Sequence, residues 1–243
     1  MNDGFFKNLK RALFPSDYTC DLCGIETFRG NLCEKCFDRF EKNDKNVCPV
    51  CGRKVFRAEI CVECKSKAPL YKQAVSPLVY SENVKELIRK FKNGNGYLKD
   101  YFADLIFEKL SDLPEFECIV YVPMTASAIK KRGYNQTELL AKELSKRTGI
   151  PLADGAVIKT KETPPQKGLT RSEREKNLYG CFEVVKPEIV RGKKILLVDD
   201  ILTTGATADA VTGKLIRAGA YRIYLATIAS VENKPFYLPR YLK

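Results

Sequence analysis

The sequence predicts an α/β protein in two parts: a small cysteine-rich, metal-binding module, then a parallel sheet flanked by helices. Three observations carry this. Eight of the ten cysteines fall between residues 20 and 64 as four C-x2-C pairs. From about residue 76, short apolar runs alternate with amphipathic stretches of helical length, the pattern of strands joined by crossover helices. One of those runs, Ile195–Val198, ends in two adjacent aspartates, and a hydroxyl-rich loop and a helix follow. The division is drawn at residues 1–72 and 73–243.

With 243 residues, 44% hydrophobic and 30% charged, the chain can bury a sizeable core without help from cross-links. No apolar run approaches the ~18–20 residues needed to span a bilayer. Residues 1–20 lack the apolar core of a secretory signal. Phe5, Phe6, Leu9 and Leu13 instead suit a short amphipathic helix that packs on the fold, and a cytoplasmic setting is expected. A formal charge of +12 points to a polyanionic partner: nucleic acid, nucleotide or phosphosugar. Histidine is absent. That removes the usual general base near neutral pH and the commonest metal ligand, leaving cysteine or carboxylate for metals.

In each half of the cysteine module, nine residues separate two C-x2-C pairs, so the module is an internal repeat. A C-x2-C turn directs two thiolates at one ion, and two such turns complete a closed tetrahedral zinc site. Disulfides suit an oxidising compartment that nothing here signals, and a redox pair would not recur in four evenly spaced copies. Two structural zinc ions are expected. Sequential pairing is the simplest: Cys20, Cys23, Cys33 and Cys36 on one ion, Cys48, Cys51, Cys61 and Cys64 on the other. Spacing alone also allows a cross-braced arrangement. Cys118 and Cys181 sit in strand-like apolar runs and read as buried free thiols.

Val75–Tyr80 reads as a strand, Asn83–Lys92 and Tyr97–Leu110 as helices, and Glu117–Met124 as a buried strand. Asn135 caps a helix that ends at Gly149. Gly180–Val185 and Lys193–Asp200 are strands, Thr207–Ala220 a helix, and Arg222–Ser230 the last strand. The most informative stretch is Ile195–Thr207, ILLVDDILTTGAT. Asp199 and Asp200 at the end of a buried strand can accept hydrogen bonds from vicinal sugar hydroxyls. Thr203, Thr204, Gly205, Ala206 and Thr207 lead into a helix whose first amides can cradle a phosphate.

ILLVDDILTTGAT resembles the signature by which type I phosphoribosyltransferases bind 5-phosphoribosyl 1-diphosphate (PRPP). Together with the double zinc-ribbon-like start, VPMTASAIKKRGYNQTELLA and PPQKGLTRSEREKNLYGCFEV, it resembles the ComF family of competence-associated proteins. The resemblance spans roughly residues 18–230. It implies a type I phosphoribosyltransferase-like sheet in which Asp199 and Asp200 hold the ribose hydroxyls and Thr203–Thr207 the 5′-phosphate. Thr125, Ala126 and Ser127 would contact diphosphate, with Lys130, Lys131 and Arg132 close behind. Lys159–Asn177 would be a flexible loop closing over the site with Gln166, Arg171, Arg174 and Asn177. Mg²⁺ would accompany PRPP. The role of the RGYNQ hallmark, Arg132–Gln136, does not follow from its chemistry.

Two functions follow from the resemblance. One is handling of single-stranded DNA in the cytosol during natural transformation, coupled to PRPP or a related phosphosugar and to a helicase-like or recombination partner. The other is transfer of phosphoribosyl to a nitrogen acceptor, for which the sequence offers no pocket. Phe91, Lys92, Tyr97, Lys99 and Tyr101 interleave aromatics with cations as single-strand binders do, though core packing suits the aromatics better.

Overall fold

The computed structural model describes residues 19–27, 32–163 and 170–233. The helix expected around Phe5–Leu13 lies outside them, as does Gln166. Two short helices belong to the cysteine module, α1 (Glu34–Phe37) and α2 (Val62–Ser66). The α/β part runs β1 (Gln73–Val75), β2 (Leu78–Val79), α3 (Glu82–Lys92), α4 (Leu98–Lys109), β3 (Cys118–Tyr121), α5 (Ala126–Arg132) and α6 (Gln136–Thr148). It continues with β4 (Val157–Lys159), α7 (Arg171–Leu178), β5 (Phe182–Val184), α8 (Pro187–Val190), β6 (Lys194–Leu202), α9 (Ala206–Arg217) and β7 (Arg222–Ser230).

The main sheet is parallel throughout, in the order β1-β7-β6-β3, with β2 also on β7. The strand expected over Val75–Tyr80 is broken after Val75, because Pro77 has no N–H to give the ladder. Gly180–Val185 does contain a strand, but β5 pairs antiparallel with β4 in a separate ribbon rather than joining the sheet. In the α/β part three helices, α5, α7 and α8, escaped the sequence reading, as did the two short helices of the cysteine module. Of these α7 carries a visible signal, a Thr170/Glu173 capping box, inside the segment expected to be a loop.

Alternate residues of the central strands face opposite sides, as the strand period requires. Ile195, Leu197, Ile223 and Leu225 join the second half of the cysteine module, α9 and the β4–β5 ribbon in one core. Leu196, Val198, Tyr224 and Ala226 join α3, α4, α6 and Phe40 in the other. The module therefore straddles the β2 edge. Its middle segment runs along that edge, with Val79 N donating to Glu41 O and Asn43 N to Pro77 O (both 2.8 Å), so the edge is covered.

The seam between module and sheet is tight at Gly52. It takes φ +66°, and a Cβ there would lie 2.5 Å from the Ala74 carbonyl oxygen. Gly52→Ala is expected to lower stability by about 2–3 kcal/mol, from left-handed strain plus displacement of β1, read by urea denaturation.

Candidate functional site

Both halves of the cysteine module fold as the same knuckle. In the first, Cys20 N donates to Ile25 O (2.7 Å) and Gly24 N to Cys20 O (2.8 Å); in the second, Cys48 N donates to Arg53 O (2.9 Å) and Gly52 N to Cys48 O (2.8 Å). Cys33 and Cys61 then cap α1 and α2, which carry Cys36 and Cys64. The result is two tetrads, Cys20/Cys23/Cys33/Cys36 and Cys48/Cys51/Cys61/Cys64, each with its ligand atoms within 4.8 Å of one another. Sulfur separations of 3.7 Å (Cys23–Cys33) and 3.6 Å (Cys51–Cys61) match the ~3.8 Å edge of a tetrahedron with zinc–sulfur bonds of ~2.3 Å. Pairing is sequential, not cross-braced. Four thiolates leave no open position, so both tetrads fit structural zinc. Their settings differ: Cys23 is exposed and Cys33 half-buried, whereas Cys48, Cys51 and Cys61 are buried in the core.

The crevice at the carboxyl edge of the sheet opens between β3 and β6. β3 pairs with β6 only as far as Tyr121 opposite Val198, with Val122 N donating to Val198 O (3.0 Å). β6 continues against β7 through Leu202. The helices that follow the two strands lie on opposite faces, α6 in one core and α9 in the other. That is the topological switch point at which open α/β sheets take ligands.

Asp199 and Asp200 stand at this point, both partly buried. Asp200 Oδ2 accepts from Lys92 Nζ (2.6 Å) and Gln136 Nε2 (2.8 Å). Burial opposes its charge, but Lys92 and these hydrogen bonds outweigh it and hold its pKa below the ordinary value. For Asp199 burial, then the charge of Asp200, outweigh the Asp200 amide and the more distant pull of Lys92 and push it up to about 8. The pair therefore divides into one fixed anion and one carboxyl that titrates near neutrality.

Next comes the Thr203–Thr207 loop. Gly205 caps α9 with φ +83°, a conformation that leaves the amides at the start of α9 facing outward and that a side chain would strain. Thr203 is gripped twice. Its hydroxyl accepts from the Arg174 guanidinium on α7 (2.7 Å), and its carbonyl accepts from the Arg53 guanidinium of the second knuckle. Thr204 Oγ1 accepts from Ala206 N (3.4 Å), and Thr207 lies in the first turn of α9.

The other loop is shaped by Thr125, which caps α5 by accepting from Ala128 N (3.3 Å). Its hydroxyl lies 3.1 Å from that of Ser127, which donates to Glu162. Ala126 and Ser127 are exposed, as are Lys130 and Lys131. Arg132 turns back instead, donating to Gln136 Oε1 (2.5 Å) and so joining the Asp200 network. Of the expected closing cations only Arg174 is seen at the crevice, since nothing is described for the Arg171 side chain. Of the supposed aromatic platform only Tyr97 is exposed, and its hydroxyl donates to Asp21 Oδ1 (2.8 Å). Phe91 is fully buried, Tyr101 packs on Phe37 and Phe102, Lys92 serves Asp200, and Lys99 pairs with Glu143 (2.6 Å). Sequence reasoning missed Arg53, which only its place after a C-x2-C-Gly turn could have flagged, and the shared role of Lys92 and Gln136.

Two family models match: a phosphoribosyl transferase domain over residues 127–236 and a double zinc ribbon domain over residues 9–65. Competence protein F of Haemophilus influenzae is 31% identical over 62% of this chain and 69% of its own length. The chain belongs to the ComF family. Competence protein ComFC of Streptococcus pneumoniae is 32% identical over 58% of this chain and 60% of that protein. The Escherichia coli DNA utilization protein YhgH is 35% identical over 42% of this chain and 44% of that protein, so these two matches span well short of the relatives' full length. Among solved structures, an adenine phosphoribosyltransferase from Thermoanaerobacter pseudethanolicus is 16% identical over 56% of this chain and 82% of that one, with a TM-score of 0.37, too loose a likeness to inform the site. No helix among the described residues is long and apolar enough to cross a membrane.

Asp199 carries a stability cost with a definite sign. The unfolded chain ionises it above about pH 4, whereas the folded chain keeps the proton until about 8. Its contribution is thus present below pH 4 and lost as pH rises to 8. Asp199→Asn is expected to raise the melting temperature by ~2–4 °C at pH 8.5, about 1 kcal/mol after allowing for solvent contact, and by less at pH 5 in a thermal melt.

Proposed function

We propose that this chain binds PRPP, or a phosphosugar closely like it, with Mg²⁺ in the crevice between β3 and β6. We infer too that it uses this site while handling single-stranded DNA in the cytosol. One observation carries the proposal: β6 delivers Asp199 and Asp200 to the switch point directly before a glycine-capped helix of twelve residues. In this reading Asp199 and Asp200 hold ribose hydroxyls, and Thr203, Thr204, Gly205, Ala206 and Thr207 hold the 5′-phosphate. Thr125, Ala126 and Ser127 face the diphosphate, and Lys130 and Lys131 add positive charge beside it. Mg²⁺, when bound, neutralises diphosphate charge and templates the sugar oxygens. Residues 1–72 act as the zinc module and 73–243 as the phosphosugar domain.

The DNA arm is supported by relatives named for competence and DNA utilisation, and by the net charge of +12. With Phe91 and Tyr101 in the core, contact with a strand falls to surface cations rather than to base stacking. A helicase-like or recombination protein is the partner we would expect at the module's exposed face. Transfer of phosphoribosyl to a nitrogen acceptor is the second reading. It is favoured by the retention of both carboxylates, which mere DNA binding would not require.

Calorimetry with Mg-PRPP tests the site. Wild type is expected to bind, and an Asp199→Asn/Asp200→Asn variant to bind at least tenfold more weakly, since a hydrogen bond to a charged group contributes ~1.5–3 kcal/mol. Neither protein binding PRPP while both bind DNA would sink the phosphosugar reading. Single-stranded DNA affinity should fall with log salt at a slope of about −0.7 per phosphate contacted; a flat salt dependence would sink the DNA arm. Diphosphate release on adding an amine or base would establish the transferase reading.

A further inference from the structure

The second tetrad and the phosphate loop are in direct contact, and Arg53 is what joins them. Arg53 follows the Cys48–Cys51 knuckle and is only 2% exposed, an unusual place for a guanidinium. One nitrogen of its fork donates to the Thr203 carbonyl, and the other pairs with Glu63, which lies beside Cys64 on α2. Tyr71, 3% exposed, closes the same space, with its hydroxyl 3.8 Å from where a Cβ on Gly205 would stand. The void among Cys51, Arg53, Glu63, Cys64, Tyr71 and Gly205 measures about 10 Å³, room for no more than one water. Among the described residues the first tetrad shows no such connection: Asp21 of its knuckle accepts from Tyr97 and Lys90, on the opposite side of the sheet from α9.

A zinc ion held by four thiolates carries a net charge of about −2, and a buried cation beside it offsets that charge. The same cation orients the Thr203 peptide, two residues before the glycine on which the phosphate-binding amides turn. We propose that Arg53 is a positioning residue for the phosphate loop, so that metal held by the second tetrad, and not by the first, sets the affinity of the phosphosugar site. This deepens the phosphosugar reading and rests on it. By linkage the effect runs both ways: ligand on the loop steadies the second tetrad by the factor by which that tetrad's metal strengthens ligand binding.

The test uses the full-length, zinc-loaded protein. Wild type is exposed to iodoacetamide with and without saturating Mg-PRPP, and alkylation of each cysteine is followed by mass spectrometry. The expected result is that ligand slows alkylation of Cys61 and Cys64 by about tenfold while Cys23 and Cys33 react at an unchanged rate. Equal protection of both tetrads, or of neither, overturns the proposal without a mutation being made. Arg53→Gln is then expected to keep two zinc ions per chain yet bind Mg-PRPP at least about tenfold more weakly. Arg53→Lys, which keeps the charge but not the fork, should fall between the two. If Arg53→Gln retains zinc and binds as wild type does, the coupling is wrong and the phosphosugar reading stands. If wild type itself fails to bind PRPP, the phosphosugar reading falls and takes the coupling with it. Should Arg53→Gln lose zinc or fail to fold, the wild-type alkylation pattern decides.

Discussion

β6 is hydrogen-bonded along both edges up to Val198 and along only one beyond it, and the crevice exists because of that asymmetry. On the β7 side the ladder runs on, with Asp199 opposite Thr227 and Leu202 opposite Ser230. On the β3 side it stops with Tyr121 opposite Val198 and Val122 N on Val198 O, and the chain then turns through Pro123 toward the Thr125 cap. The backbone of β3 must leave the sheet there, while β6 is still held straight by β7. Two aspartates are thereby carried one step past the last β3 pairing, into the gap. The Thr125 cap and the α5 helix that follow Pro123 form the far wall. The early end of β3 thus leaves one edge of β6 open at the crevice.

Charge is the second constraint. The chain is strongly basic, yet two adjacent aspartates stand in the crevice, and the described cations near them have fixed tasks. Lys92 neutralises Asp200, Arg132 orients Gln136, Arg174 holds the Thr203 hydroxyl and Arg53 the Thr203 carbonyl. A buried guanidinium such as Arg53 is tolerable only where anions or carbonyls surround it. For Arg53 these are Glu63 on α2 and the Thr203 carbonyl after β6.

Contacts of that kind mark the limit of what the sequence could tell. The repeat C-x2-C-x9-C-x2-C was enough to foresee two tetrahedral sites, because thiolate chemistry is local and two C-x2-C pairs nine residues apart can close on one ion without help. The apolar runs Ile195–Val198 and Arg222–Ser230 likewise named the central strands, since buried parallel strands need little beyond unbroken apolar character. The β4–β5 ribbon was not legible as such: Gly180–Val185 has the composition of a sheet strand, and only its partner, three residues around Ile158, shows otherwise. Nor could spacing show that Phe91 and Tyr101 turn inward while Lys92 between them turns to Asp200. A helix with aromatics and cations interleaved reads alike as a nucleic-acid platform and as one core face with a polar neighbour, and long-range packing chose the second.

The RGYNQ hallmark gains a physical account from its contacts. Arg132 donates to Gln136, whose amide then has its nitrogen free to donate to Asp200, so the orientation of a neutral side chain is fixed by a cation four residues earlier, at the end of the preceding helix. Asn135 and Thr137 both bond the Val122 carbonyl, anchoring the start of α6 to the last paired residue of β3. Tyr134 bonds the Phe91 carbonyl and accepts from Gly94 N, tying the same turn to the end of α3 that carries Lys92. The five residues thus fix the two donors that keep Asp200 ionised. Burial first, and then the fixed charge of Asp200 alongside, keep the Asp199 pKa raised.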